Sequence, residues 1–411
     1  MPETDTAKRL DWLISVDDHV LEPEHLWQSR VAAKYRDRAP RIIREDGAEL
    51  WMYEDRRIPT LGLAASAGRE REQFSPDPVT YADMRAGCYD SVARLEDMDR
   101  AGILASMCFP SLPRFCGQLF YEGADKELGF ACLQAWNDWM IEEWCGAAPG
   151  RYIPLSLIPL WDPKLAAKEL ERCAGLGSRA FCFSENPVPL GLPSIHDKDR
   201  YWDPVWAAAQ DTHMIVCMHQ GSSSTRLSTG PDMPYLASMS YAIGAQSSGT
   251  LLDWLFGPVF HRYPGVKIAL SEGGIGWMPY FIERAEQVLD KQRFWASQGE
   301  RKVDLKTLTV SDVGEKSEVD YLTLNVRELF REHVYGCFID DISGLGNLDL
   351  IGADNVMIET DYPHSDSTWP NCIEFAHKQL EGFDDETKYK ILRGNAERVF
   401  GFTPADPPAG G

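Results

Sequence analysis

Six residues of this chain pair a side chain able to bind a metal ion with a point where an apolar run breaks off. Asp17 and His19 lie in Leu13-Ile-Ser-Val-Asp17-Asp18-His19, and His219 ends Met214-Ile-Val-Cys-Met-His219. Glu272 follows Val266-Lys-Ile-Ala-Leu-Ser and precedes two glycines. Asp361 and His364 close Val356-Met-Ile-Glu-Thr-Asp361-Tyr-Pro-His364. Taken singly such residues are ordinary, and His25, His196, His213, His261, His333 and His377 read as structural or exposed. Joint placement at strand ends sets the six apart. In Asp17-x-His19 the alternation of side chains along a strand puts both on one face. Pro363 stops the last strand and turns the chain, so a residue beyond Asp361 can return to the same site. One open tetrahedral zinc site takes three mainly imidazole ligands and keeps a free position. Three carboxylates with three imidazoles exceed that need, and fit the oxygen-rich donor sets of dinuclear iron or manganese centres. The residues therefore predict a metalloenzyme with Asp17, His19, His219, Glu272, Asp361 and His364 as ligands. Asp18 and Glu22 are expected to support them by hydrogen bonds or to serve as spare ligands. No further catalytic side chain is required, because the metal carries the chemistry.

These ends must converge, and a parallel β/α barrel makes them do so by opening all its strand termini on one face. Candidate strands fall at 13–19, 103–109, 153–160, 179–184, 214–219, 266–271, 333–339 and 355–360. Helical patterns occupy 90–100, 124–146, 163–175, 201–211, 248–261, 276–294, 344–352 and 369–381. This alternation predicts an α/β fold, a (β/α)8 TIM barrel. An open doubly wound sheet is the competitor, but its Gly-rich first turn is missing: Val20-Leu-Glu-Pro follows the first strand. One decorated domain over 1–403 is expected, with insertions at about 28–89 and 295–330 on the catalytic face and a disordered tail at 404–411. Trp51, Tyr53, Phe115, Phe120, Trp254, Trp277 and Trp369 are candidates for a pocket wall, although taken one by one barrel packing accounts better for most of them.

The balance of 41 Lys+Arg against 63 Asp+Glu gives a net charge of −22, which argues against nucleic acid and anionic membrane surfaces as partners. No apolar run approaches the ~18 residues of a membrane span, and the polar, acidic start is no signal peptide. Ten cysteines without a C-x-x-C pair read as reduced, buried thiols. A soluble, cytoplasmic protein is expected, and a homo-oligomer is compatible with the sequence.

The combination of Val16-Asp17-Asp18-His19-Val20-Leu-Glu-Pro, Tyr263-Pro-Gly-Val-Lys-Ile-Ala-Leu-Ser-Glu272-Gly-Gly, Asp361-Tyr-Pro-His364 and Arg393-Gly-Asn395-Ala-Glu-Arg-Val-Phe resembles the metal-dependent amidohydrolase-like TIM-barrel proteins. Ordinary members carry His-x-His on the first strand and a His before the Gly-Gly turn, where this chain has Asp17 and Glu272. The carboxylate-substituted signature is similar to a subgroup, the TIM-barrel non-heme diiron monooxygenases that tailor diterpenoids in antibiotic biosynthesis. That resemblance implies two irons per chain and O2 as co-substrate. The implied reaction hydroxylates an unactivated C–H bond of a bulky apolar acyl substrate carried as a CoA thioester, with an external electron donor. Arg41, Arg44, Arg56 and Arg57 are candidates for the CoA handle. Two alternatives stand beside this reading. One is a mononuclear Zn or Mn hydrolase or decarboxylase, with Asp361 as base in the hydrolase version. The other is a non-enzymatic binding barrel.

Overall fold

The computed structural model describes residues 10–45, 47–299, 301–312 and 318–408. Eight parallel strands alternate with helices in chain order: β1 (Leu13–Val20), β2 (Ile103–Pro110), β3 (Leu155–Ser156), β4 (Ala180–Cys182), β5 (Ile215–His219), β6 (Ile268–Ser271), β7 (Val334–Phe338) and β8 (Val356–Ile358). β3 through β8 form one parallel sheet in sequence order, and β1 pairs with β2. Backbone bonds just outside the short strands join these two sheets. Ser106 N–H donates to Arg151 O at 3.0 Å and Ile153 N–H to Ser106 O at 2.9 Å, which links β2 to the approach of β3. On the other side Asp361 N–H donates to Asp17 O at 2.9 Å and His19 N–H to Tyr362 O at 2.6 Å. The barrel thus closes through residues that also bear candidate ligands. Every residue of β1, β2, β5, β6 and β7 is buried, as expected of strands covered on both faces.

Local sequence fixes several boundaries. Asp90, Asp125 and Asp162 each accept two backbone N–H groups at the start of a following helix: Ser91–Ala101, Lys126–Trp139 and Pro163–Gly175. Gly102 closes the first of these at φ 71, where a Cβ would come within 2.6 Å of the Ile373 side chain. Near the C-terminus Asn395 donates to Ala353 O and Val356 O at 2.7 and 2.8 Å, tying the last helix to the start of β8.

Some expected boundaries shift. The strands at 153–160, 179–184 and 355–360 are far shorter than their apolar runs, which continue as buried loop. The helix expected at 248–261 begins at Tyr235 and ends at Phe256, followed by a short turn at Val259–Arg262. Its first half is rich in Ser, Gly and exposed aromatic residues, which hides the helical period. The first insertion folds as a three-stranded antiparallel sheet (Arg41–Glu45, Ala48–Tyr53, Arg56–Pro59) followed by short 3-10 turns. The second carries a hairpin of Arg301–Asp304 against Thr309–Asp312, while 300 and 313–317 lie outside the described residues. In the expected tail, Ala405 N–H donates to Gly150 O at 2.9 Å, and 409–411 are outside the described residues. All ten cysteines are free and buried. Among the described residues no helix is long and apolar enough to cross a membrane.

Candidate metal centre

β1, β5, β6 and β8 bring all six expected ligands to the C-terminal mouth of the barrel. His19 Nε2 lies 3.4 Å from Asp17 Oδ1, 3.3 Å from Asp361 Oδ1 and 3.2 Å from His219 Nε2. His219 Nε2 is 3.4 Å from both Asp17 Oδ2 and Glu272 Oε2. His364 Nδ1 approaches Asp361 Oδ1 to 2.9 Å, and its ring stacks on that of His19 with centroids 3.8 Å apart. Two overlapping donor groups result: Asp17, His19 and His219, and His19, Asp361 and His364. Glu272 stands beside them and belongs to neither.

Orientation is enforced around the donors. His219 Nδ1 sits 2.6 Å from Gln220 O; a proton held there leaves Nε2 free to ligate. Phe115 stacks on the His219 ring at 4.0 Å and 6°. Glu272 and Asp361 hold φ at 54° and 53°, left-handed conformations that non-glycine residues adopt at a cost and that cluster at functional sites.

Burial sets the electrostatics. Desolvation, with Glu359, Asp361 and Glu272 nearby, pushes the Asp17 carboxyl well above its usual range. Glu272 and Glu359 are raised for the same primary reason. Burial lowers His219 to about 4 and drives His19 well below its usual value, so both imidazoles are neutral near pH 7, the form that binds metal. Asp361 is held low by His364 and His19 against its own desolvation. Both carboxylate oxygens of Asp17 and of Asp361, and His19 Nδ1, are buried without a hydrogen-bond partner. Unpaired buried carboxylate oxygens facing neutral imidazoles are costly unless a cation lies among them. The residues present therefore fit a divalent metal held by Asp17, His19, His219 and Asp361.

The two expected supporting groups part company. Asp18 lies beneath the β1–β8 seam, where Ser15 Oγ donates at 3.0 Å, Thr360 Oγ1 at 2.6 Å and Tyr362 N–H at 3.0 Å. Glu22 points elsewhere: its carboxylate accepts Ser111 N–H, Leu112 N–H and Trp136 Nε1–H at 3.1, 2.8 and 3.0 Å. It is neither a ligand nor a neighbour of one. Of the candidate aromatics, Phe115 lines the metal cavity, whereas Tyr53, Phe120 and Trp254 are core. Trp277 and Trp369 donate to Gly273 O and Asp97 O. Two site residues went unnoticed in the sequence. Glu359, one residue past β8, is buried against Glu272, and Glu185 accepts Gly221 N–H and Ser223 Oγ–H at 2.9 Å each, shaping the loop after His219.

A cavity of about 510 Å³ opens above the donors, with Glu272, Asp361 and His364 in its floor and Leu61, Leu63 and Phe115 among its walls. The amidohydrolase family model matches residues 25–402. The chain belongs to the amidohydrolase family. Asp17 and His19 precede the matched stretch, so their place beside His219 and Asp361 rests on the structure. Among curated relatives, a gamma-resorcylate decarboxylase of Polaromonas sp. strain JS666 is 26% identical over 276 residues, covering 64% of this chain and 74% of the relative. A 2-amino-3-carboxymuconate-6-semialdehyde decarboxylase of Dictyostelium discoideum is 23% identical over 340 residues, covering 80% and 81%. Of solved structures, an amidohydrolase of Mycobacterium avium subsp. paratuberculosis aligns with TM-score 0.68 at 20% identity over 95% of this chain and 99% of that one. A dihydroxybenzoic acid decarboxylase of Polaromonas sp. JS666, with bound manganese and 2-nitroresorcinol, aligns with TM-score 0.57 at 18% identity over 97% and 99%.

These findings correct the diiron monooxygenase expectation. The amidohydrolase relatives with named reactions are decarboxylases, which are lyases, and not oxidoreductases of antibiotic biosynthesis. The two irons, O2, the CoA thioester and the electron donor lose their support with it, since manganese is the metal found in neighbouring structures. The physical reason is that carboxylate and imidazole donors suit manganese, iron and zinc alike, so donor types at strand ends select neither metal nor reaction. The arginines expected to hold CoA are largely occupied. Arg44 pairs with Glu24 and Glu49, Arg56 with Glu122, and Arg57 with Glu45.

Proposed function

We propose that this protein is a metal-dependent lyase that removes CO2 from a small aromatic or unsaturated carboxylic acid. One observation carries the reading: the buried, unpartnered oxygens of Asp17 and Asp361 face the Nε2 atoms of His19 and His219, and Asp361 reaches the wall of a cavity roomy enough for a small organic acid. Asp17, His19, His219 and Asp361 would hold one hard divalent ion, for which manganese in neighbouring decarboxylase structures is the precedent. Bound there, such an ion would supply Lewis-acid stabilisation of negative charge on the substrate.

The chain's own residues do the rest. Decarboxylation replaces a carboxylate by a proton and needs neither oxidant nor electrons. His364, with Nδ1 2.9 Å from Asp361 Oδ1 and its ring on the cavity wall, stands where it can deliver the proton that replaces the departing carboxylate. Phe115, Leu61 and Leu63 limit water at that position.

The test is anaerobic incubation of manganese-loaded protein with hydroxybenzoates, including 2,6-dihydroxybenzoate, and measurement of CO2. In D2O the product should carry one deuterium at the vacated carbon. Absence of CO2 across the panel, with hydrolysis of esters or amides by the same preparation, would return the chain to a hydrolase reading.

A further inference from the structure

A second, smaller cavity of about 200 Å³ lies beside the metal cavity, and the two share Leu61 and Ala64 as walls. Its other walls come from the first insertion and from the ends of β1 and β2, chiefly Trp51, Ile58 and Leu112. Trp51 is 3% exposed and Leu112 7%, so the inner wall of this chamber is buried, while Pro59 and Leu61 stand exposed at its outer edge. The charged groups on its walls are already engaged. Glu22 accepts three N–H donors, and Arg114 lies 2.5 Å from Glu122 Oε1 and donates to Ser224 Oγ at 3.2 Å. What the chamber offers an occupant is therefore apolar surface. The segment bordering both cavities is tied to the metal site: Ser66 N–H donates to Pro363 O at 2.8 Å and Ser365 N–H to Leu63 O at 3.0 Å, on either side of His364.

We infer that the substrate has two parts, an acid head seated over Asp17, His19, His219 and Asp361 and an apolar alkyl or aryl arm that passes Leu61 and Ala64 into the Trp51 chamber. This rests on the decarboxylase reading for the head and on the shared wall for the arm. The arm sets specificity: it turns the head about the metal position and so selects which carbon meets the Asp361–His364 pair. A lone-ring acid leaves the chamber empty.

The experiment measures affinities of the manganese-loaded full-length protein for 4-alkylbenzoates from methyl to butyl, in parallel with alkylbenzenes of the same lengths. Each methylene that enters the chamber should raise affinity about fourfold. Ile58→Trp, which fills the chamber, should flatten this dependence on length. Leu61→Ala, which trims a half-exposed side chain bordering both cavities, should preserve or steepen it. Metal content of each variant reports that the site has formed. No gain with length in the wild type, or the same gain in Ile58→Trp, overturns the inference and leaves the decarboxylase reading standing. Benzoates that bind no tighter than the matching alkylbenzenes defeat the acid-head reading instead, and the chamber is then judged on the alkylbenzene series alone.

Discussion

The Glu359 carboxylate receives the backbone N–H of Glu272 through both oxygens, at 3.1 and 3.2 Å. A buried residue at the end of β8 thus holds the left-handed turn at the end of β6, and with it the direction in which Glu272 leaves the barrel wall. Removing the acceptor in Glu359→Ala leaves a buried donor unpaired and should cost about 1–3 kcal/mol in urea unfolding. Glu359→Gln keeps one acceptor oxygen and should cost less. Equal losses in the two variants would show that the carboxylate acts through its charge and not through this bond.

The donor geometry ranks the ligands. Asp17→Ala and Asp361→Ala each remove oxygens that lie among the imidazoles, and should reduce manganese retained after dialysis at least tenfold. Glu272→Ala should retain more metal than either, because Glu272 stands outside both donor groups. Elemental analysis checks the order. A Glu272 variant as depleted as the Asp361 variant would place Glu272 among the ligands.

Two buried groups should oppose each other in the pH dependence of the metal-free protein. Burial lowers His219 to about 4, so between there and its ordinary value near 6.5 the unfolded chain binds a proton that the folded chain does not. That contribution is complete above about 6.5 and is lost as pH falls toward 4. Burial raises Glu22 to about 7, so the folded chain keeps a proton the unfolded chain has released. Its contribution is complete below about 4.5 and is lost as pH rises through 7. Each is worth about 3 kcal/mol. Relative to wild type, His219→Gln should lose stability between pH 5 and 7, and Glu22→Gln should gain it. Urea midpoints at both pH values decide, and parallel profiles for the three proteins would refute the assignment.

Arg94 is buried, donates to His19 O at 2.6 Å and to Gly87 O at 2.5 Å, and lies 4.1 Å over the Tyr362 ring. Its charge also lowers the otherwise raised Asp18 carboxyl. Arg94→Met should destabilise by about 3–5 kcal/mol, because Asp18 then stays buried without its counter-charge. Adding Asp18→Asn should recover part of that loss. A double-mutant cycle with no coupling between the two would separate Arg94 from the carboxylate beneath the ligand strand.

Much of this arrangement was written locally. The convergence of Asp17, His19, His219, Glu272, Asp361 and His364 could be anticipated because a strand's end is a local event: an apolar run, a polar residue, then Gly, Pro or Ser. Strand–helix alternation gave the barrel for the same reason, since hydrophobic period and turn residues act over a few positions. Glu359 was hidden because it sits inside the run Val356-Met-Ile-Glu-Thr and reads as part of the strand. Glu22 was misplaced because its partners, Ser111, Leu112 and Trp136, are distant in sequence and meet it only once β1 and β2 are paired. The orphaned carboxylate oxygens, the left-handed turns at Glu272 and Asp361 and the chamber behind Leu61 were decided by tertiary structure. Each depends on which segments fold back over the barrel mouth, and residue types alone leave that open. The same holds for the reaction. Carboxylates and imidazoles at strand ends point to a divalent metal from sequence, but they select neither the ion nor the reaction, which depend on how far apart the folded chain holds the donors and what shape of cavity it builds above them.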